Sequence, residues 1–201
     1  MTKAIVFDLD GVYFENGTET FIERLMTDYN LTYENISRVY LKSPEMREYK
    51  TGRITGDAFW AWAITEWRIK ATKNEIVNLL INSYREKPET LDLVRKARER
   101  GIKTAVCTNN FPERLNGLEN RFHFKTNFDA VVTSFEEGTL KPDPKIFEIL
   151  ANKLDLPPNS ILMSDDKTSN VEALKQLGFV GVLYTGFAGF KQTLKEYGIR
   201  T

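Results

Sequence analysis

The 201-residue chain carries 28 basic and 28 acidic residues, so it has no net charge to draw it to nucleic acid or to an anionic membrane. With 41% hydrophobic and 28% charged residues it has the composition of an ordinary globular protein, which excludes a disordered or fibrous chain. Its single cysteine, Cys107, excludes an internal disulfide, and the length suits one core with a small appended unit.

Met1-Thr2-Lys3 leads straight into an apolar run with no signal-peptide pattern, and no stretch is long enough to span a membrane, so a cytoplasmic protein is expected. Ile5, Val6 and Phe7 predict a strand covered on both faces, ending in Asp8-Leu9-Asp10-Gly11. Asp and Gly favour turns for local reasons, yet two carboxylates crowded at a strand end repel each other, and a cation or a raised pKa relieves them. The pattern is then helical from 17 to 87. Phe21, Ile22, Leu25 and Met26 follow helical spacing, as do Phe59, Trp60, Ala63 and Trp67, and then Ile76, Val77, Leu80 and Ile81. Phe59, Trp60 and Trp67 are expected to pack a core, and Thr51-Gly52-Arg53-Ile54-Thr55-Gly56 to form a turn. A helical block placed between the first strand and the next α/β element reads as an inserted cap over 16–85, with the core formed by 1–15 and 86–201.

Beyond it, strands and helices alternate. A helix opens near Pro88 and stops by Gly101; strands are expected at 102–107, 129–133, 160–164 and 179–183, and helices near 111–120, 143–154, 168–177 and 187–197. The alternation predicts an α/β protein with a Rossmann-like parallel sheet, helices on both faces and the inserted all-helical cap. Ligands bind at the carboxyl ends of such strands. There the strands deliver Asp8-x-Asp10-Gly11, then Thr108-Asn109-Asn110 before a helix start suited to an anion, then Lys141-Pro142-Asp143-Pro144, and finally Asp165-Asp166 with Asn170 behind. Cys107, with no histidine or second cysteine nearby in sequence, is expected to be a small buried hydrophobe, and His123, the only histidine, to be structural.

In order and spacing, Asp8-x-Asp10-Gly11, Thr108-Asn109, Lys141-Pro142-Asp143-Pro144 and Asp165-Asp166-x3-Asn170 resemble the haloacid dehalogenase superfamily of Mg²⁺-dependent phosphatases over nearly the whole chain. The closest likeness is to the branch with sugar-phosphate phosphatases, the phosphatase domain of soluble epoxide hydrolase and 2-haloacid dehalogenases. The resemblance implies hydrolysis of a small phosphate monoester, such as a sugar phosphate or similar metabolite, through an aspartyl phosphate on Asp8. Asp10 would be the general acid-base, and Lys141 would balance the charge of Asp8 and phosphate. Thr108, Asn109, Lys141 and Gly11 would surround the phosphate, Gly11 by relieving crowding at the turn. The implied cofactor is Mg²⁺, held by the Asp8 carboxylate, the Asp10 backbone carbonyl and an acid of the second pair, Asp166 directly and Asp165 through water, with the reverse assignment left open. Asn170 would tie down the metal loop.

The expected partner is a small phosphorylated metabolite, with neither nucleic acid nor membrane, on a monomer or homodimer. A phosphomutase shares every one of these residues and differs in how the cap excludes water. A 2-haloacid dehalogenase would leave the Asp10 carboxylate and the second acidic pair without purpose, and a non-enzymatic binding protein would leave all of them so. Tyr13-Phe14-Glu15-Asn16 departs from the family's usual Leu-x-Asp/Asn-Ser/Thr, and Ser164 stands where a branched apolar residue is common.

Overall fold

The structure, a computed structural model, describes residues 1–199. The first strand, β1 (Ala4–Phe7), is buried along its whole length. It leads into a wide turn over Leu9–Tyr13. Helices α1 (Gly17–Tyr29), α2 (Tyr33–Ile36), α3 (Pro44–Lys50), α4 (Gly56–Trp67) and α5 (Lys73–Asn82) follow. No strand interrupts them; Phe14 and Glu86, at either end of this segment, meet in an isolated antiparallel bridge. The helix starts are locally encoded. Thr32, Ser43, Thr55 and Thr72 each accept a backbone N–H with the side chain, and Thr72 with Glu75 completes a capping box.

The rest alternates: α6 (Pro88–Glu99), β2 (Lys103–Thr108), α7 (Pro112–Phe122), β3 (Ala130–Thr133), α8 (Ser134–Glu137), α9 (Pro144–Leu154), β4 (Ile161–Asp165), α10 (Thr168–Gln176), β5 (Val180–Leu183) and α11 (Phe187–Glu196). Every strand lies within a residue of its expected position, and the short helices α2, α3 and α8 are elements that the sequence pattern does not mark out individually. Proline occupies the first turn of α6, α7 and α9, where its missing N–H costs nothing.

The five strands form one parallel sheet in the order β3-β2-β1-β4-β5. Alternating residues of β1 feed two cores. Ala4 and Val6 pack with Met163, Ile146, Phe147 and Leu150 on one face. Ile5 and Phe7 face the other, whose cluster runs without a break from Val94 and Phe190 into Phe21, Tyr49, Phe59, Trp60 and Trp67. The helical segment therefore shares its apolar core with the sheet. Tyr49 stacks on Phe59 at 4.7 Å and on Phe111, from the loop after β2, at 4.5 Å. Among the described residues no helix is long and apolar enough to cross a membrane.

Candidate active site

The chain leaves β1 in one direction towards β2 and β3 and returns on its other side to β4 and β5. The strand order reverses at β1, the switch point where a parallel sheet opens a crevice. Asp8 stands at that point. Its N–H donates to the Ser164 carbonyl at 3.0 Å, and its Oδ1 accepts the Leu9 N–H at 2.8 Å. The following turn needs Gly11, whose φ is 79°. A Cβ there would meet Asp166 Oδ2 at an ordinary 3.8 Å, so the backbone angle is the constraint and space is not. Lys87 Nζ donates to the Gly11 carbonyl at 2.6 Å.

Lys141 lies in the loop before α9 with its ammonium 3.0 Å from Asp8 Oδ1 and 2.6 Å from Asp165 Oδ2. Burial alone would lower its pKa; the two carboxylates outweigh that and hold it well above the usual lysine value. The Asn109 side chain clasps the Lys141 backbone, accepting its N–H at 2.8 Å and donating to its carbonyl at 2.9 Å. Asn109 thus ties the loop after β2 to the loop before α9. Thr108 lines the site cavity beside it.

The two adjacent acids differ sharply. Asp165 is fully buried, with Oδ1 accepting from Lys167 N at 2.9 Å and Asn170 Nδ2 at 2.8 Å, and Oδ2 accepting from Lys141. Burial pushes its pKa up, yet Lys141 and these donors bring it below the usual carboxylate value. Asp166 projects into the cavity, where burial and the charges of Asp8 and Asp165 push its pKa up. Carboxylate oxygens of Asp8, Asp165 and Asp166 all lie within 4.8 Å of one another. Such an all-oxygen set, with one member's charge strained by its neighbours, fits a hard dication such as Mg²⁺.

Asp10 has different company. Its Oδ2 accepts hydrogen bonds from the Thr18 hydroxyl and, at 3.0 Å, from Tyr84 OH; Arg114 Nη1 lies 3.5 Å away. Its Oδ1 is buried without a partner. Arg114 is itself buried, held by Asn110 Oδ1 at 2.6 Å and by the Asn109 carbonyl at 3.1 Å. The carboxylate pair that looks uniform in sequence is split between a cationic pocket and a ring of donors.

Asp8, Asp10, Thr18, Thr108, Asn109, Arg114, Lys141 and Asp166 line a cavity of about 560 Å³. Among the members and supports that the sequence reading missed are Thr18 and Tyr84 on the helical segment, Arg114 on α7, and Lys50 at the end of α3. Lys50 is half-buried, and burial together with Arg114 and Lys167 lowers its pKa to about 7. No local signal marks any of them. Cys107 is buried, its thiol pushed up to about 12 chiefly by burial, and His123 ends α7 with φ 51°. Trp60 is fully buried among aromatic rings and Arg53 pairs with Glu48 at 2.7 Å, so neither belongs to the cavity. The buried Ser164 hydroxyl has no partner, and nothing in the structure explains it.

The family model for haloacid dehalogenase-like hydrolases matches residues 2–178. The chain belongs to this family, has its Rossmann-like α/β fold, and spans less than two thirds of the length of several of the curated relatives it matches. Among its relatives, acyl-CoA dehydrogenase family member 10 of Mus musculus is 37% identical over 92 residues, covering 45% of this chain but only 8% of that protein. A phosphorylated carbohydrates phosphatase of Thermotoga maritima is 26% identical over 181 residues, covering 88% of this chain and 82% of that protein. In three dimensions the chain resembles a family enzyme of Bacteroides thetaiotaomicron solved with magnesium and inorganic phosphate, with a TM-score of 0.79, 21% identity, and 94% of this chain and 96% of that one covered.

Proposed function

We propose that the protein is a Mg²⁺-dependent phosphatase that hydrolyses a small phosphate monoester through an aspartyl phosphate on Asp8. The observation that carries this reading is the division of labour between Asp8 and Asp10. Asp8, beside Lys141 and the acidic pair, has the surroundings of a nucleophile facing an anion; Asp10, withdrawn onto Thr18, Tyr84 and Arg114, has those of a proton carrier. Asp8, Asp166 and the Asp10 backbone carbonyl would hold the metal, with Asp165 behind them as the anchor of Lys141. Bound there, Mg²⁺ would screen the repulsion between Asp8 and a dianionic phosphate.

In the first step an Asp8 carboxylate oxygen attacks phosphorus, and the departing alcohol takes the proton of Asp10. The Asp10 carboxylate then removes a proton from water as it attacks the aspartyl phosphate, which restores Asp8 and releases inorganic phosphate. Lys141 balances the charge accumulated at Asp8, while the Thr108 hydroxyl and the main chain of Thr108 and Asn109 bind phosphoryl oxygens. Lys50, which lines the same cavity, adds a cation when protonated. The segment 16–85 acts as a cap over the core formed by 1–15 and 86–201, and because Thr18 and Tyr84 belong to it, its seating sets where Asp10 points. Hydrolytic dehalogenation would have no use for this arrangement at Asp10, since a halide departs without a proton.

The test is phosphate release from p-nitrophenyl phosphate and a panel of monoesters, with acid-quenched protein searched for phosphate on Asp8. Turnover with labelled Asp8 supports the reading; turnover of 2-haloacids without any ester hydrolysis overturns it.

A further inference from the structure

The outer half of the site cavity has a chemical character of its own. Among the described residues, Met1, Met26, Tyr33, Leu41, Leu183 and Tyr197 are the exposed large hydrophobic residues, and three of these six, Met26, Tyr33 and Leu41, line this cavity together with the more buried Ile22. Single exposed apolar residues are ordinary on a protein surface, but their convergence on one cleft marks a place where apolar surface is covered by a ligand. They arrive from separate stretches of chain: Ile22 and Met26 lie one turn apart on α1, Tyr33 opens α2, and Leu41 precedes α3.

Charge of both signs lines the same cavity. Lys141, Arg114, Lys50 and Lys167 line it with the catalytic carboxylates, whereas Glu19 and Glu23 stand on α1 on either side of Ile22. A phosphoryl group is drawn to Lys141, beside Asp8. A second phosphate or carboxylate on the far side of the substrate would face two glutamates. Sugar hydroxyls set against the thioether of Met26 and the aliphatic Ile22 and Leu41 would lose water without gaining partners from those three side chains.

We infer that the alcohol half of the substrate is apolar and uncharged, so that this enzyme prefers phosphate monoesters of aliphatic or aromatic alcohols to those of sugars and to bisphosphates. The inference rests on the phosphatase reading above and names the substrate class of that same site. Met26, with three rotatable bonds and a polarisable sulfur, lets the wall adapt to alcohols of different shape. Specificity then follows from the area of alcohol buried rather than from hydrogen bonds to it.

The experiment measures kcat/KM of the full chain with Mg²⁺ for straight-chain alkyl phosphates from ethyl to octyl, beside glucose 6-phosphate, fructose 1,6-bisphosphate and p-nitrophenyl phosphate. Each methylene that becomes buried is expected to raise kcat/KM about two- to fourfold until the cavity is filled. Met26→Gln and Leu41→Gln, at exposed positions that the fold tolerates, should reduce the octyl-to-ethyl ratio. Binding of non-hydrolysable alkyl phosphonates, followed by calorimetry, should rise along the same series. A flat alkyl series, or a preference for either sugar ester, with robust p-nitrophenyl phosphate turnover, overturns this inference and leaves the phosphatase reading standing. Failure to hydrolyse any ester overturns the phosphatase reading, and the inference falls with it.

Discussion

Lys141 Nζ lies 2.6 Å from Asp165 Oδ2, and the two side chains are almost closed to solvent, at 1% and 0% exposure. Removing one partner of such a pair leaves a buried charge uncompensated, at a cost of about 3–5 kcal/mol. Asp165→Ala should therefore lower the melting temperature by roughly 6–20 °C in a domain of this size, nearer the lower end because Asp8 still faces Lys141. Asp166→Ala removes a strained charge and should leave the melting temperature within a few degrees, while raising the Mg²⁺ concentration needed for half-maximal turnover. Chelation should abolish activity in the wild type. Thermal melts and Mg²⁺ titrations of both variants separate the roles; a larger metal defect in Asp165→Ala than in Asp166→Ala would reverse the assignment.

Asp8 and Asp10 should fail differently. Asp8→Asn removes the nucleophile, so turnover should fall to background for every ester. Asp10→Asn keeps the backbone and should cost about 10²- to 10⁴-fold, most for esters with poor leaving groups. An activated ester such as p-nitrophenyl phosphate should show an initial burst with this variant, because the second step still needs a base. Rapid-quench kinetics would reveal it, and substantial steady turnover by Asp8→Asn would refute the covalent mechanism.

Lys50 predicts a pH dependence with a definite sign. Its pKa of about 7 makes it a cation below that pH and neutral above it, whereas Lys141 stays charged throughout. Sulfate is a dianion over the whole range and competes for the phosphate site. Its inhibition should be strong at pH 6 and weaken towards pH 8, by at most about tenfold per unit. Lys50→Met should inhibit weakly with a flat profile, and Lys50→Arg strongly with a flat profile. An unchanged slope in Lys50→Met would assign the titration to another group.

Glu113 on α7 joins the helical segment to the helix after β2, accepting a hydrogen bond from Tyr49 OH and pairing with Lys73 at 2.7 Å. A Cβ at Gly56 would lie 1.6 Å from Glu113 Oε1, so Gly56→Ala must push that carboxylate away from both partners. It should cost about 1–3 kcal/mol in denaturant unfolding, as does loss of a buried polar contact. In a Glu113→Ala background the same substitution should cost nothing, because the obstructed group is gone. Additive costs would show that the two positions are not coupled.

The strands and their chemical endings were legible in sequence because both depend on neighbours along the chain. Apolar runs such as 4–7 and 161–163, bounded by turn residues and alternating with helical patterns, read as buried strands of a parallel sheet, and a parallel sheet brings the carboxyl end of every strand to one side. Asp8, Thr108 and Asp165 meet there for that reason, with Lys141 a loop beyond β3. The strand order and the separate environments of Asp165 and Asp166 came from the tertiary structure: one residue of displacement at the end of β4 turns the first carboxylate into the packed interior and the second into the cleft. Thr18, Lys50, Tyr84 and Arg114 were invisible for a related reason. Helical periodicity records which face of a helix is apolar, but which polar residue at its edge reaches the cleft depends on how the helix is seated against the sheet, and only packing across the whole chain decides that.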